Sequence, residues 1–324
     1  MTLRLAPLAG VSDWPFRKLC FREGCDCSYT EMVSALGYTY GASQEATQNL
    51  LFRAEGEKKL IVQLFGKEPE VMGRVAGILS RSGRYDGIDI NMGCPVRKVA
   101  CSGEGSGLMQ TPEVAEKIMR AVVRESTVPV SVKMRLGWDA DHINVLEMAK
   151  RAEDAGVSEI TVHGRTRQQM YGGTADWDWI YRTAESVSIP VIGNGDILTG
   201  ETAMQRIREG RVAGIMIGRG AMGNPWIFRE IRARMEGRIP EKVTVPERVR
   251  TAEEHYRMLL SWKPERVAVS EMRKHLGWYL HGLRGAARMR EKINTMTDPE
   301  EIFSMLRTLC EEEAPETSSD GPAD

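Results

Sequence analysis

The sequence has no long hydrophobic run, no regular cysteine pattern and little net charge, and each absence excludes a class of protein. No stretch of about 18 apolar residues occurs, so we expect no membrane-spanning helix. The six cysteines form neither an evenly spaced framework nor paired C-x-x-C knuckles, and no signal peptide precedes them. We therefore expect a protein of the reducing cytoplasm with no bound metal.

The net charge of −1 is unevenly distributed along the 324 residues. Residues 311–324 contain six acidic and no basic side chains, so residues 1–310 carry +5. A tail of this composition has too little apolar surface to pack, and we expect it to be solvated and disordered.

Eight short segments rich in Val, Ile and Leu recur at intervals of about 25–40 residues, and most of them resemble buried parallel strands. They are Leu3–Ala9, Ser28–Val33, Leu60–Gly66, Gly87–Met92, Val128–Arg135, Glu159–Arg165, Ile189–Asp196 and Ala213–Gly218. Helical patterns such as Pro112–Ser126 and Asn144–Ala155 lie between them. Repeated β-then-α units predict an α/β fold, a (β/α)₈ TIM barrel over residues 1–237.

A doubly wound sheet is the competing fold, because Gly218, Gly220 and Gly223 have the spacing of a dinucleotide-binding turn. That turn follows the last predicted strand, however, and no βαβ unit comes after it. Strand patterns end at Pro240, and Val245–Leu260 and Val267–Leu283 have helical patterns. We predict a small all-helical domain over residues 238–310.

Unusual polar residues stand at the carboxyl ends of two predicted strands, where TIM barrels place their active sites. Lys133 and Arg135 share one face of their strand, and His163 and Arg165 share one face of the next. A lysine on a buried strand needs an anionic partner. Lys133 and His163 therefore indicate a ligand site, the alternatives being a structural ion pair and a core histidine.

Two glycine-rich turns end the last two predicted strands. Gly193–Asp196 and Gly218–Gly220 lie where barrels commonly bind a phosphate through backbone N–H groups, and Arg219 adds a cation. Tight turns that need glycine for positive φ are the alternative, but two adjacent ones favour a phosphate-bearing cofactor.

Cys94 lies in the motif Asp89–Pro95, at the end of a predicted strand. A thiol with an ordinary pKa near 8.5 can stay protonated and act as an acid, or can be activated as a nucleophile. No histidine follows in this loop to serve as a base, which favours the acid. An inert buried cysteine is the alternative here, and a structural role is expected for Cys20, Cys25 and Cys27. The glycine-rich segment Ser102–Gly107 is suited to a mobile lid.

Seven motifs in order make this chain similar to the tRNA-dihydrouridine synthases, in particular to their bacterial B-like branch. They are Ala6–Gly10 with Ser12–Arg17 behind it, Val62–Leu64, Asn91–Pro95, Lys133–Arg135, His163–Arg167, Gly195–Asp196 and Gly218–Arg219. The resemblance implies an FMN cofactor, NADPH as the reductant and a uridine of folded tRNA as the substrate.

The resemblance also implies a role for each matched residue. Cys94 would donate the proton to the base, and Asn91, Arg165 and Arg167 would face the flipped uracil. The residues implied to hold FMN are Pro7, Leu8 and Ala9 behind the ring, Gln63 and Lys133 at its polar edge, His163 as a further contact, and Asn194, Gly195, Asp196, Gly218 and Arg219 at the phosphate.

A basic stretch in the helical domain suits contact with RNA. Residues 266–292 contain seven Lys or Arg and two acidic residues, with His275, Trp278, Tyr279 and His281 interleaved. Arg273 and Lys274 are the substrate-binding candidates, while a solvated helix face with a Trp-Tyr core stripe is the alternative. Two other functions are weighed: a small-molecule FMN barrel related to dihydroorotate dehydrogenase, and a non-catalytic RNA-binding module.

One position departs from the family pattern. B-like relatives usually carry a basic pair in the lid where this chain has Cys101 and Ser102. We hypothesise that Cys94 and Cys101 form a reversible disulfide that silences the enzyme, and unchanged sensitivity of Cys101→Ser to mild oxidants would contradict it.

Overall fold

A computed structural model describes residues 1–312. The nine strands in this range form one parallel sheet. They are β1 Thr2–Leu5, β2 Ser28–Tyr29, β3 Val33–Ser34, β4 Leu60–Phe65, β5 Gly87–Met92, β6 Val130–Arg135, β7 Glu159–His163, β8 Val191–Asn194 and β9 Gly214–Ile217. The predicted acidic tail lies outside the described residues from position 313 onward.

The sheet closes on itself. β1 pairs with β9, the pairing continues through β8, β7, β6, β5 and β4 to β2, and Arg4 and Cys27 form a parallel bridge back to β1. The predicted (β/α)₈ TIM barrel is therefore confirmed.

The second predicted strand differs from the expectation. Ser28–Val33 was expected to be continuous, but it is divided into β2 and β3, both paired with β4. Thr30 lies in the break, where its backbone N–H bonds to the Ile61 carbonyl and its hydroxyl accepts the N–H of Gln63. A hydroxyl contact to the neighbouring strand β4 thus replaces one backbone hydrogen bond of the ladder.

Helices follow the strands around the barrel and then continue alone. They are α1 Trp14–Arg22, α2 Ala35–Gly41, α3 Glu45–Leu50, α4 Pro69–Arg81, α5 Arg97–Ala100, α6 Pro112–Glu125, α7 Val145–Asp154, α8 Trp177–Ser186, α9 Gly200–Glu209, α10 Ile227–Met235, α11 Val245–Leu260, α12 Glu265–Tyr279, α13 Ala286–Thr295 and α14 Pro299–Glu312. Side-chain caps begin several of them, such as Asp13 at α1 and Asp176 at α8. None of the described helices is long and apolar enough to cross a membrane.

The barrel has two cores of different character. The larger lies between strands and helices and contains side chains such as Ile88, Ile90 and Ile160. The burial of each of these side chains stabilises the fold by about 1.5–3 kcal/mol. A small second core fills the barrel interior with Ala6, Cys27, Tyr29, Ile61, Ile192 and Met216. Because this interior core is small, polar side chains line the interior further along the strands.

The chain divides into two compact units. The first contains Met1–Ala221 and Pro225–Pro240, and the second contains Met222–Asn224 and the residues from Glu241 onward. The segment Met222–Asn224 belongs to the second unit because Gly223 lies against the backbone of Trp278. A Cβ added at Gly223 would come within 2.4 Å of the Trp278 carbonyl carbon. The second unit is all helical over its described residues.

Candidate active site

A chain of hydrogen bonds links four polar side chains on β4, β5 and β6. The buried Asp89 carboxylate accepts from Gln63 Nε2 at 2.8 Å and from Ser131 Oγ at 2.6 Å. Gln63 Oε1 in turn accepts from Asn91 Nδ2 at 2.8 Å. Burial raises the pKa of Asp89 to about 6, opposed by its hydrogen bonds from Ser131 and Gln63. The network fixes which way both amide groups face.

Asn91 holds the loop that carries Cys94. Its Oδ1 accepts the backbone N–H of Gly93 at 3.1 Å and that of Cys94 at 2.9 Å, and the Cys94 carbonyl accepts from Ser106 Oγ at 2.8 Å. The thiol is half-buried, and burial raises its pKa above the ordinary value, with Arg135 and Lys133 opposing the shift. Cys94 is therefore protonated at neutral pH, as a proton donor must be.

Lys133 and His163 lie beside this network on β6 and β7. Burial lowers the pKa of Lys133 to about 8; nearby Arg135 lowers it further, while Asp89 and Cys94 raise it. Burial together with Lys133 and three arginines lowers the pKa of His163 well below its usual value, so its ring is neutral at pH 7. In the register of β6 and β7, Lys133 pairs with Thr161 and Arg135 pairs with His163, as expected if these side chains share one face of the sheet.

Arg135 is a buried cation that joins two loops. Its Nε donates to the Gly93 carbonyl at 2.8 Å, and its Nη1 donates to the carbonyls of Thr166 and Met170 at 2.7 and 2.8 Å. Burial lowers the pKa of Arg135 to about 10. The Cys94 loop and the loop after β7 are thus fixed to one guanidinium, a role that sequence reasoning did not assign.

Asp196 is the centre of an ionic cluster at the ends of β7, β8 and β9. Arg165 binds its two carboxylate oxygens at 2.9 and 2.8 Å, Arg219 donates to it at 3.1 Å and the Ala175 N–H donates at 2.7 Å. Because these donors occupy both carboxylate oxygens, Asp196 is better suited to orient Arg219 than to receive a phosphate through its side chain.

Arg165, which was predicted to face the uracil, is a buried cation. It is 1% exposed, and besides Asp196 it donates to the carbonyls of Gly172 and Gly173. Its geometry makes it a positioning residue for Asp196 and for the loop after β7.

The two turns predicted to bind a phosphate, which follow β8 and β9, lie near the loop after β1. Asn194 Nδ2 donates to the Met216 carbonyl at 2.8 Å, and Gly195 has φ +137°, a conformation that favours glycine. At Gly218 an added Cβ would meet only Ala6 and Leu8, both at 3.7 Å, so the backbone there stands open toward the loop after β1. The side chain of Arg219, the next residue, is 44% exposed and adds a positive charge at this end of the barrel.

The loop Pro7–Ala9 is braced from behind. The Leu8 N–H bonds to Ser12 Oγ at 2.8 Å, and the Ser12 carbonyl accepts from Arg17 at 3.0 Å. Arg17 and Glu57 form a buried ion pair with an Nε to Oε1 distance of 2.7 Å. Pro7 and Leu8 are half-buried and Ala9 is exposed, which leaves one side of the loop available to a ligand.

Aromatic side chains stack on the arginines around the mouth of the barrel. Arg167 lies over the Trp138 ring at 4.6 Å, and its Nη2 lies 4.0 Å from the exposed Cys101 sulfur. Tyr171, 52% exposed, is flanked by Arg135 and Arg219 at 5.8 and 5.2 Å from its ring centre. Sequence reasoning missed Trp138 and Tyr171. The only signal that could have identified them is an aromatic residue among arginines shortly after a predicted strand.

The helical unit places its basic stretch in two environments. Arg273 and Lys274 are half-buried and line a cavity between α12 and α13. His275 and Tyr279, expected among the RNA-contacting aromatics, are each only 1% exposed and pack in the helical core with His255. For these two the core-stripe alternative is correct, because α12 turns them inward.

Among residues 1–312 no group of three His, Cys, Asp or Glu side chains is placed to hold a metal ion. Cys20, Cys25 and Cys27 are buried, and burial raises the pKa of each thiol. Their surroundings are those of packed core thiols.

The residues of the mouth fit an anionic group. Four cations, Lys133, Arg135, Arg165 and Arg219, lie there with two carboxylates, those of Asp89 and Asp196. Fold and site together define a class, a (β/α)₈-barrel enzyme that can hold a phosphate-bearing cofactor next to a protonated thiol.

Comparison with known proteins identifies the family. The family model described as "Dihydrouridine synthase (Dus)" matches residues 4–316, so the chain belongs to the dihydrouridine synthase family, whose members are flavin-dependent oxidoreductases. It is 40% identical over 304 residues to a "Probable tRNA-dihydrouridine synthase" of Rhizobium leguminosarum bv. phaseoli, with 93% of each chain covered. It is 38% identical over 311 residues to the "tRNA-dihydrouridine synthase B" of Shewanella oneidensis, covering 96% of this chain and 95% of that protein.

A solved structure supports the fold alone. A complex of 2-naphthoyl-CoA reductase with 2-naphthoyl-CoA superposes with a TM-score of 0.57 at 11% identity, covering 73% of this chain and 50% of that one.

Proposed function

We propose that this protein reduces the C5–C6 double bond of a uridine in tRNA to give 5,6-dihydrouridine, with FMN as the cofactor and NADPH as the reductant. The observation that carries the proposal is Cys94, a half-buried thiol kept protonated by burial on a loop fixed by Asn91 and Arg135. We also propose that the reaction takes place in the cytoplasm, where cysteines in an irregular pattern are expected.

The cofactor residues follow from the fit of the mouth. Pro7, Leu8 and Ala9 would back the flavin ring, and Gln63, Lys133 and His163 would hold its polar edge. Asn194, Gly195, Asp196, Gly218 and Arg219 would hold its phosphate, Asp196 through its backbone and through its hold on Arg219. When bound, the reduced flavin supplies the hydride that adds to C6 of the uracil.

Cys94 completes the reaction by giving its proton to C5. Hydride addition leaves negative charge on C5 and the C4 oxygen of the base, so an acid near C5 lowers the barrier. The thiolate that remains is stabilised by Arg135 and Lys133, both of which lower the Cys94 pKa against the effect of burial. Solvent must then return one proton to the sulfur in each turnover.

Asn91 and Arg167 are the proposed contacts to the uracil, with Tyr171 beside them on the rim. Arg165 acts indirectly, through Asp196 and the loop after β7. The base must leave its stack to reach the mouth, at a cost of a few kcal/mol. Arg273 and Lys274 of the helical unit are the proposed RNA contacts that offset it.

Replacing Cys94 separates the two half-reactions. Cys94→Ala should still allow NADPH to reduce the flavin but should form no dihydrouridine on unmodified tRNA. Cys101→Ser, a thiol removed from the exposed lid, is the matched control and should retain both steps. Wild-type dihydrouridine yields from Cys94→Ala would refute the acid assignment.

A further inference from the structure

A polar cavity of about 400 Å³ opens between α12 and α13 of the helical unit. Among the residues that the structure describes, three cations and no carboxylate line it, and these lining residues are Ser270, Arg273, Lys274, Gly277, Arg290, Ile293 and Asn294. A cavity with this charge balance is suited to an anion.

Two of the cations have no anionic partner among the side chains of residues 1–310. Arg273 Nη2 donates to the Met296 carbonyl at 3.0 Å, but its buried Nε has no hydrogen-bond acceptor in the part of the chain that the structure describes. Arg290 forms no ion pair with any side chain of residues 1–310, and it is half-buried. A buried guanidinium donor without an acceptor costs free energy, which a bound anion would recover.

Gly277 lies in the wall of the cavity. It lies within α12, where glycine costs about 1 kcal/mol relative to alanine. An added Cβ would meet only Arg290 Cδ, at 3.8 Å, so packing does not require a glycine here. A side chain longer than that of alanine at position 277 would enter the cavity.

We propose that this cavity binds one nucleotide of the RNA other than the uridine that is reduced. Its phosphate lies on Arg273, Lys274 and Arg290, and its base edge meets Ser270 and Asn294. The volume falls within the range of small-molecule sites, roughly 300–1,000 Å³, and exceeds what a phosphate group alone needs. Proteins commonly read RNA through such splayed-out nucleotides. The inference rests on the proposed function, because it takes RNA as the substrate.

Two arginines on α13 provide a matched comparison. Arg290 lines the cavity, whereas Arg288 is exposed on the same helix and does not. In fluorescence anisotropy with labelled unmodified tRNA, Arg290→Gln of the FMN-loaded enzyme should weaken binding roughly tenfold and reduce the salt dependence by about one ion. Arg288→Gln should weaken it less than about twofold. Equal losses in the two variants would overturn the proposal, since they would indicate diffuse attraction.

Filling the cavity tests the site without changing charge. Gly277→Met introduces a good helix former whose side chain extends into the cavity, so the melting temperature should be kept while tRNA affinity falls. Gly277→Ala, which adds one methyl group, should retain affinity and raise the melting temperature slightly. Unchanged affinity in a folded Gly277→Met would overturn the proposal.

Small ligands distinguish the possible sources of phosphate. In calorimetric titrations, adenosine monophosphate should bind the wild type more tightly than inorganic phosphate or adenosine does, and Arg290→Gln should remove that difference. Equal binding of phosphate and the nucleotide would overturn the nucleotide assignment. If Arg290→Gln instead raised the NADPH concentration needed to reduce the flavin, the cavity would serve the reductant and the proposal would fail.

Failure of the proposed function would look different. A wild-type enzyme that binds tRNA but forms no dihydrouridine would refute the reaction. The binding comparison between Arg290→Gln and Arg288→Gln would still report on the cavity.

Discussion

Cys94 depends for its chemistry on the groups that surround it. Asn91 fixes its backbone, Ser106 holds its carbonyl and Arg135 holds the carbonyl before it. Burial keeps the thiol protonated, and two nearby cations stabilise the thiolate it becomes. An isolated cysteine at the surface would lack this orientation and these cations beside the thiolate.

The protonation of Cys94 predicts a pH dependence of the reductive step. The acid form is required, and burial raises the thiol pKa above its ordinary value near 8.5. The rate of dihydrouridine formation from pre-reduced enzyme should therefore stay level through neutral pH and fall only above pH 8.5. Single-turnover assays from pH 6.5 to 10 test this. A rate that already falls as the pH rises from 6.5 to 8 would contradict it.

Arg135 should matter more for the reductive step than for flavin binding. Arg135→Lys keeps the charge but cannot reach Gly93, Thr166 and Met170 together. Losing a buried hydrogen bond from a charged group costs about 1.5–3 kcal/mol, so we expect single-turnover rates roughly 10- to 100-fold lower.

A control and a second readout separate this role from general damage. Arg120→Lys, on the exposed face of α6, should behave as wild type. In a Cys101→Ser background, the pH dependence of Cys94 alkylation should change in Arg135→Lys, because Arg135 contributes to the thiol pKa. An unchanged alkylation profile with a lowered melting temperature would indicate a structural role only.

At the scale of elements, α11 and α12 bury two histidines against each other. His255 and His275 have ring centres 4.5 Å apart, and His255 bonds to the Tyr279 hydroxyl at 3.3 Å. Burial, with nearby Lys263 and Lys274, lowers the pKa of His255 to about 3; burial, with His255 adding, lowers that of His275 well below its usual value. Both rings are neutral in the folded unit.

These histidines predict that the helical unit loses stability in mild acid. Because their folded pKa values lie below the unfolded value near 6.5, their contribution is complete above pH 6.5 and is lost as the pH falls below it. Each ring costs up to about 1.4 kcal/mol per pH unit. Calorimetry should show a lower melting temperature at pH 5.5 than at 7.5, and a weaker dependence in His275→Gln. Equal slopes in the two proteins would contradict the assignment.

At the scale of the whole molecule, substrate choice separates the proposed reaction from a small-molecule barrel reductase. The purified protein should carry FMN, and its oxidation of NADPH should depend on unmodified tRNA but not on orotate or fumarate. A protein that reacts with orotate, or one that cannot be loaded with FMN, would contradict the proposed reaction. Mapping dihydrouridine in tRNA from a deletion strain would then identify the position.

Sequence patterns predicted the barrel because strands buried on both faces are continuous apolar segments at regular intervals. The break between β2 and β3 was missed, since the Thr30 contacts that cause it come from a neighbouring strand. Motif position placed Cys94, Lys133 and His163 at the mouth, because the carboxyl ends of parallel strands meet there. The inward turn of His275 and Tyr279 was not evident, since a basic amphipathic helix has the same pattern whichever side it buries.

The sequence alone therefore determined the fold class, the two kinds of unit and the set of residues gathered at the mouth, because these depend on local periodicity and on strand order. Only the tertiary structure decided what each cation does. Arg135 joins two loops, Arg165 holds Asp196, Arg219 stays exposed and Arg290 lines a cavity with Arg273. Spacing along the chain cannot separate these roles, because each depends on which carbonyl, carboxylate or empty volume lies within hydrogen-bonding reach in the folded protein.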